Sequence, residues 1–143
     1  MPRRLTVLSI TLAMAAACGG TSSPQPTVKI LNEPADVFET LTLANLGCTG
    51  KVTKLSANGA KVALCGPVAG VAKSFLTVGM YPSAAQTKQQ FEKNCSHGGW
   101  NLFRPGQNWR AIMGIDGGGF PRSVAKHVAS VLGTDLHQGC TAA

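Results

Sequence analysis

Acidic residues are scarce in this chain of 143 residues, which has six Asp and Glu against thirteen Lys and Arg. Half of them (Glu33, Asp36 and Glu39) fall in one predicted helix, where the positive end of the helix dipole accounts for them. This gives little support to a hydrolase that uses two paired carboxylates. The basic residues are spread along the chain and form no arm, so we expect no nucleic-acid partner.

Catalytic motifs are equally sparse. The only histidines are His97, His127 and His137, and no Gly-x-Ser-x-Gly elbow is present. The segment Gly114–Phe120 lacks the Lys-Ser/Thr pair of a phosphate loop and the glycine spacing of a dinucleotide site, so it indicates a flexible connection between a strand and a helix. We therefore expect no catalytic residue and no cofactor. An enzyme that uses His97 or His137 is the alternative.

Apolar runs are too short to span a membrane, which takes roughly 20 residues. At the N-terminus, Arg3 and Arg4 precede the apolar run Leu5–Met14, and three alanines starting at Ala15 lead to Cys18. This order is typical of a lipoprotein signal, in which residues 1–17 are removed and Cys18 is acylated. Ala15 departs from the large aliphatic residue usual at that position. Ordinary cleavage after an Ala-x-Ala motif, which leaves a secreted protein, is the alternative.

The rest of the chain divides into a tether and one domain. Residues 18–27 are rich in Gly, Ser, Thr and Pro, cannot bury apolar surface, and are interpreted as a flexible tether. Residues 28–143 suit a single domain with its own core. After loss of the signal, eleven basic and six acidic residues leave a formal charge of +5. That charge favours solubility and mild attraction to an anionic membrane surface.

The five cysteines are an odd number. Acylation of Cys18 leaves Cys48, Cys65, Cys95 and Cys140, an even set that implies two disulfides with three alternative pairings in an exported domain. We favour Cys48 with Cys65, which ties the end of the first helix to a nearby strand. The other pair, Cys95 with Cys140, then ties the middle helix to the C-terminal tail.

A zinc site is the alternative use of the second cysteine pair. Cys95 and His97, with His137 and Cys140, supply two sulfur and two nitrogen ligands, the donors that structural zinc prefers. The Cys-x-His spacing is not a usual finger pattern, and an exported protein favours the disulfide. We therefore predict no metal.

Hydrophobic periodicity and turn signals predict three helices and five strands. Pro34 suits a first helical turn, Asn58-Gly59 a tight hairpin, and Ser83 with Gln86 a capping box. Gly47 and Gly133 are predicted to end helices. The predicted helices are 33–47, 83–94 and 121–133, and the predicted strands are 51–55, 60–66, 73–81, 100–104 and 108–115. This order, αβββαββα, predicts an α+β fold with a mostly antiparallel sheet and helices on one face.

The two tryptophans, Trp100 and Trp109, both fall in the second predicted hairpin. Core packing or a cross-strand pair is the simpler interpretation. An exposed aromatic platform for a ligand or a protein partner is the alternative, and it makes Trp100 and Trp109 the candidate contact residues.

Several segments resemble the small lipoproteins and secreted proteins of actinobacteria, a family of uncharacterised function. The resemblance covers nearly the whole mature domain and lies in Leu46–Gly50, Cys65, Val78–Tyr81, Phe91 and Asn108–Ile112. The loop from Gly66 to Lys73 is longer than in that pattern, and Cys95 and Cys140 are additional. The family has no established catalytic residues, so the resemblance implies none here.

These observations predict a membrane-anchored extracytoplasmic lipoprotein with a non-enzymatic binding or accessory domain. Its expected partners are membrane lipid, through the acylated N-terminus, and an envelope protein or small ligand. One alternative is a phage or prophage lipoprotein that blocks superinfection, which flanking phage genes would favour. The other is an envelope enzyme of unknown class, which substitution of His97 and His137 with Ala would test.

Overall fold

The computed structural model describes residues 31–57, 59–96 and 99–143. They form three helices and seven strands, which confirms the α+β class. The helices are α1 (Pro34–Leu43), α2 (Ala84–Asn94) and α3 (Arg122–Leu132). The strands are β1 (Thr53–Ala57), β2 (Ala60–Cys65), β3 (Ser74–Met80), β4 (Trp100–Leu102), β5 (Trp109–Ile115), β6 (Leu136–Gln138) and β7 (Thr141–Ala142).

All seven strands belong to one sheet in the order β1-β2-β3-β5-β4-β6-β7, and every neighbouring pair is antiparallel. The predicted antiparallel arrangement is confirmed, but the strand count is seven instead of about five. The two additional strands, β6 and β7, form a C-terminal hairpin around Gly139 and Cys140. They are short, and β6 is held by its pairing with β4, a distant partner that local sequence signals do not reveal.

One face of the sheet carries the main core, and we call it the closed face. Alternate residues of β3, such as Leu76 and Val78, lie opposite Met113 and Ala111 of β5 in register and are fully or almost fully buried. Helices α1 and α3 pack over this face and against each other. Val128 of α3 is fully buried, as the apolar stripe predicted for that helix requires.

The second helix lies on the opposite face, which we call the open face. Its Phe91 stacks on Phe103 with ring centroids 4.5 Å apart, in a small cluster separate from the main core. The prediction of helices on one face therefore holds for α1 and α3 but not for α2. The physical reason is that α2 buries only Thr87 and Phe91, too small an apolar stripe to cover a large core.

Local turn chemistry explains most element boundaries. Ser83 caps α2 by accepting a hydrogen bond from the Gln86 backbone, which is one half of the predicted capping box, while the Gln86 side chain bonds to the Ser83 hydroxyl. Gly133 ends α3 in the left-handed conformation, as predicted. Helix α1, in contrast, ends before Gly47, because Asn45 takes the left-handed conformation with φ +59°. The Leu46 amide then donates to the Leu41 carbonyl, which closes the helix end.

Candidate binding groove on the open sheet face

The open face presents apolar side chains to solvent beyond the part that α2 covers. Leu55 of β1 is 57% exposed and Leu64 of β2 is 39% exposed. The register places Leu64 beside Thr77 of β3, which in turn lies beside Ile112 of β5. An exposed apolar patch of this kind is typical of an interaction site.

Three connected clefts run along β3 on this face, and we call them together the groove. The central cleft, of about 240 Å³, shares Val62 and Tyr81 with a cleft of about 300 Å³ and shares Ile112 with a cleft of about 520 Å³. The ends are marked by Tyr81 and Phe75, six residues apart. At roughly 3.3 Å per residue the groove is therefore about 20 Å long.

Two glycines shape the floor of the groove. A Cβ atom on Gly114 would lie 2.5 Å from Cζ of Phe75, and one on Gly79 would lie 2.9 Å from the Tyr81 hydroxyl oxygen. The two aromatic rings thus lie close over the strand backbone. They occupy space that the side chain of any other residue type at position 79 or 114 would need. The floor is aromatic at both ends as a result.

The central cleft is lined in part by Arg110, a residue that is only 4% exposed. Its guanidinium donates from Nη1 to the Gln90 carbonyl and from Nη2 to Oδ1 of Asn101, the latter at 3.2 Å. Burial lowers the pKa of Arg110, and the nearby Tyr81 hydroxyl opposes that shift. Arginine nevertheless stays protonated in proteins. In the described part of the chain no carboxylate pairs with this buried charge.

Asn101 holds the guanidinium in place. It is fully buried, and its Nδ2 donates to the carbonyl oxygens of Cys95, at 3.4 Å, and Gly139, at 3.2 Å. One amide side chain thereby joins the end of α2, the turn before β7 and Arg110. The Cys95–Cys140 disulfide, with Cα atoms 4.8 Å apart, closes the same corner covalently.

Both disulfides have the pairing that the sequence favours. Cys48 is bonded to Cys65 with Cα atoms 6.0 Å apart, and Cys95 is bonded to Cys140. The second bond uses both thiols of the alternative zinc site. His97 lies outside the described residues, and within them no group of three His, Cys, Asp or Glu side chains is arranged to hold a metal.

The remaining histidines lie apart from each other. His127 is exposed on α3. His137 lies on the open face, where its Nε2 is 3.0 Å from the Phe103 carbonyl oxygen and its ring centroid is 4.9 Å from that of Phe91. Its Nδ1 atom is buried and has no hydrogen-bond partner among the described residues. Neither imidazole contacts a Ser, Thr or Cys nucleophile through the hydrogen bonds of the described chain.

Trp100 and Trp109 are core residues of the closed face, with 8% and 5% exposure. Trp100 lies opposite Met113, four residues along β5 from Trp109, so the two rings form no direct cross-strand pair. The Trp100 indole N–H donates to the Phe120 carbonyl at 2.7 Å. Core packing, the favoured interpretation, therefore applies, and the alternative of an exposed platform with Trp100 and Trp109 as contact residues is wrong because both side chains are buried.

The glycine-rich segment after β5 is a turn on the open face. The Asp116 amide donates to the Lys73 carbonyl, and Ile115 forms an isolated bridge with Gly118. Gly114, Gly117 and Gly118 border the 520 Å³ cleft of the groove. The segment thus shapes one end of the groove, in keeping with its predicted role as a connection.

Sequence reasoning missed Arg110 and Asn101, the polar centre of the groove. Both stand between apolar neighbours, in Trp-Asn-Leu of β4 and Trp-Arg-Ala of β5. Polar positions of this kind are usually solvent-facing, so only the position of α2 reveals that they are buried. The predicted signal, Cys18 and the tether lie outside the described residues.

Comparisons of the chain with family models, with curated proteins and with solved structures found no match. Among the described residues, no helix has both the length and the apolar character needed to cross a bilayer.

Proposed function

We propose that this protein is a membrane-anchored extracytoplasmic lipoprotein whose domain binds another envelope component without catalysing a reaction. The observation that carries the proposal is the open face itself. It combines exposed Leu55 and Leu64 with a groove about 20 Å long and a buried charge at Arg110. Apolar surface next to a few fixed polar groups is the usual composition of a binding site.

Anchoring is supported by the cysteine balance. Cys48, Cys65, Cys95 and Cys140 are all consumed by disulfides. Cys18 is therefore the one cysteine left over, and it directly follows the small residues of the predicted signal. Two disulfides also fit an oxidising compartment outside the cytoplasm.

A binding role is also supported by how the polar groups are used. The guanidinium of Arg110 is held in a fixed position by the Gln90 carbonyl and the Asn101 side-chain amide. Neither acceptor is a carboxylate or an imidazole that could exchange a proton in acid–base catalysis. His137 bonds to a backbone carbonyl and packs on Phe91, an arrangement typical of a structural imidazole.

Two measurements test the proposal. Metabolic labelling with a fatty acid is expected to label the wild-type protein and not Cys18→Ser, and equal labelling of both would overturn the anchoring. A photo-crosslinking residue placed at Leu64 in membranes is expected to capture one recurrent partner. The matched control at Ser130, exposed on α3, is expected to capture none. Identical products from both positions would refute binding through the open face.

A further inference from the structure

The charge at the centre of the groove points to an acidic occupant. We propose that the groove binds an extended peptide segment of about six residues whose central carboxylate lies over Arg110. The proposal rests on the proposed function and specifies what the open face recognises. It follows from three properties of the groove: its length, its lining and its unpaired charge.

Length and shape favour an extended chain. The clefts lie in line along β3 for about 20 Å, the span of roughly six extended residues. They are open to solvent along the face, so the occupant lies across the surface and does not enter a closed cavity. Gly79 and Gly114 leave room for the Tyr81 and Phe75 rings to lie over the strands, so the occupant packs against an aromatic floor at both ends.

The lining favours a peptide over a simple hydrocarbon chain. One end of the groove carries the side chains of Gln86, Gln89 and Gln90, whose amides donate and accept hydrogen bonds as peptide groups do. In the middle, Val62 and Ile112 form apolar walls beside Arg110, and the other end is lined by Phe75, Ile115 and glycines. Amides at one end and apolar walls along the rest match an extended peptide with apolar side chains on one side.

The charge favours an acid at the centre of that strand. Among the described residues, Arg110 is bonded only to the neutral acceptors of Gln90 and Asn101, and no carboxylate neutralises it. A buried cation interacts strongly with an anion because the local dielectric is low. Hydrogen bonds from guanidinium to carboxylate are also stronger than those to neutral oxygens. A carboxylate over the central cleft therefore complements the site better than any neutral group.

A randomised hexapeptide library displayed on phage tests this inference on the full chain carrying Cys18→Ser, so that the outcome does not depend on anchoring. We expect selected peptides to share Asp or Glu at a central position with apolar neighbours. On Arg110→Gln the acidic preference is expected to disappear while the apolar preference remains. The matched control is Arg122→Gln, because Arg122 is an exposed arginine on α3. This variant is expected to select the same peptides as the protein in which Arg110 and Arg122 are both intact.

A second measurement does not require any Arg110 variant to fold. The selected peptide and its counterpart with Glu replaced by Gln are compared on the chain with intact Arg110, and the Gln peptide is expected to bind at least tenfold more weakly. Equal affinity, or an acidic preference that persists on Arg110→Gln, overturns the role of the charge. Failure to enrich any peptide overturns the peptide occupant. In that case a recurrent partner crosslinked at Leu64 would still support the open face as a binding surface.

Discussion

Asn101→Ala tests whether one buried amide holds together the corner that supports the groove. The substitution removes three hydrogen bonds, two donated to the carbonyls of Cys95 and Gly139 and one accepted from Arg110. Their lengths of 3.2–3.4 Å are on the long side, so each is worth about 1 kcal/mol once the loss of a buried partner is included. We expect the free energy of unfolding to fall by about 3 kcal/mol.

Urea denaturation followed by tryptophan fluorescence measures this loss, because Trp100 and Trp109 are buried in the main core. With a denaturant slope of about 1.5 kcal/mol/M, the midpoint shifts down by about 2 M. Asn108→Ala is the matched control, since the Asn108 side chain is exposed, and it is expected to change stability by less than about 0.5 kcal/mol. A loss below about 1 kcal/mol for Asn101→Ala would refute the assignment of this network.

Three further outcomes follow from the same structure. Replacing Cys95 and Cys140 together with Ser is expected to lower the free energy of unfolding by about 4 kcal/mol, because the bond closes a separation of 45 residues, and an unchanged urea midpoint would contradict this. Leu41→Ala, at a fully buried site of α1, is expected to cost about 3 kcal/mol in the same titration, and a change near zero would place Leu41 outside the core. The hydrogen bond from Arg104 lowers the pKa of Asp135 in the folded protein. The ionised carboxylate therefore stabilises the fold fully above its unfolded pKa of about 3.9. This contribution is lost as the pH falls through the lower pKa of the folded state. The melting temperature of Asp135→Asn is therefore expected to fall slightly less than that of the wild type below about pH 4. An equal fall in the two proteins would refute the pairing.

The sequence predicts those parts of the fold that local chemistry decides. The Ser83 cap and the Gly133 stop lie where the sequence places them. Ala57 and Ala60 also pair on either side of the Asn-Gly sequence that predicts the hairpin, although β1 extends two residues beyond its predicted end at Leu55. Each of these features depends on residues within four positions of one another, so no distant contact is needed.

What the sequence does not predict depends on contacts between distant segments. Strand β6 has three residues and forms because Asn101 and its neighbours in β4 offer an edge to pair with. Helix α1 is ended by Asn45 and not by the predicted Gly47, since asparagine also tolerates the left-handed conformation. The groove is still harder to foresee, because the burial of Arg110 requires α2 to lie on the face opposite α1 and α3. No periodicity in the chain carries that information.

The order of the two disulfides has a consequence for how the chain matures. Each bond joins cysteines that are neighbours in the chain, first Cys48 with Cys65 and then Cys95 with Cys140. For an exported chain, which is our proposal, an oxidase that joins thiols in the order in which they leave the translocation channel produces both native bonds without later exchange. A free thiol at Cys18 would emerge first and compete for Cys48. Acylation of Cys18, as proposed here, removes that competitor before oxidation begins.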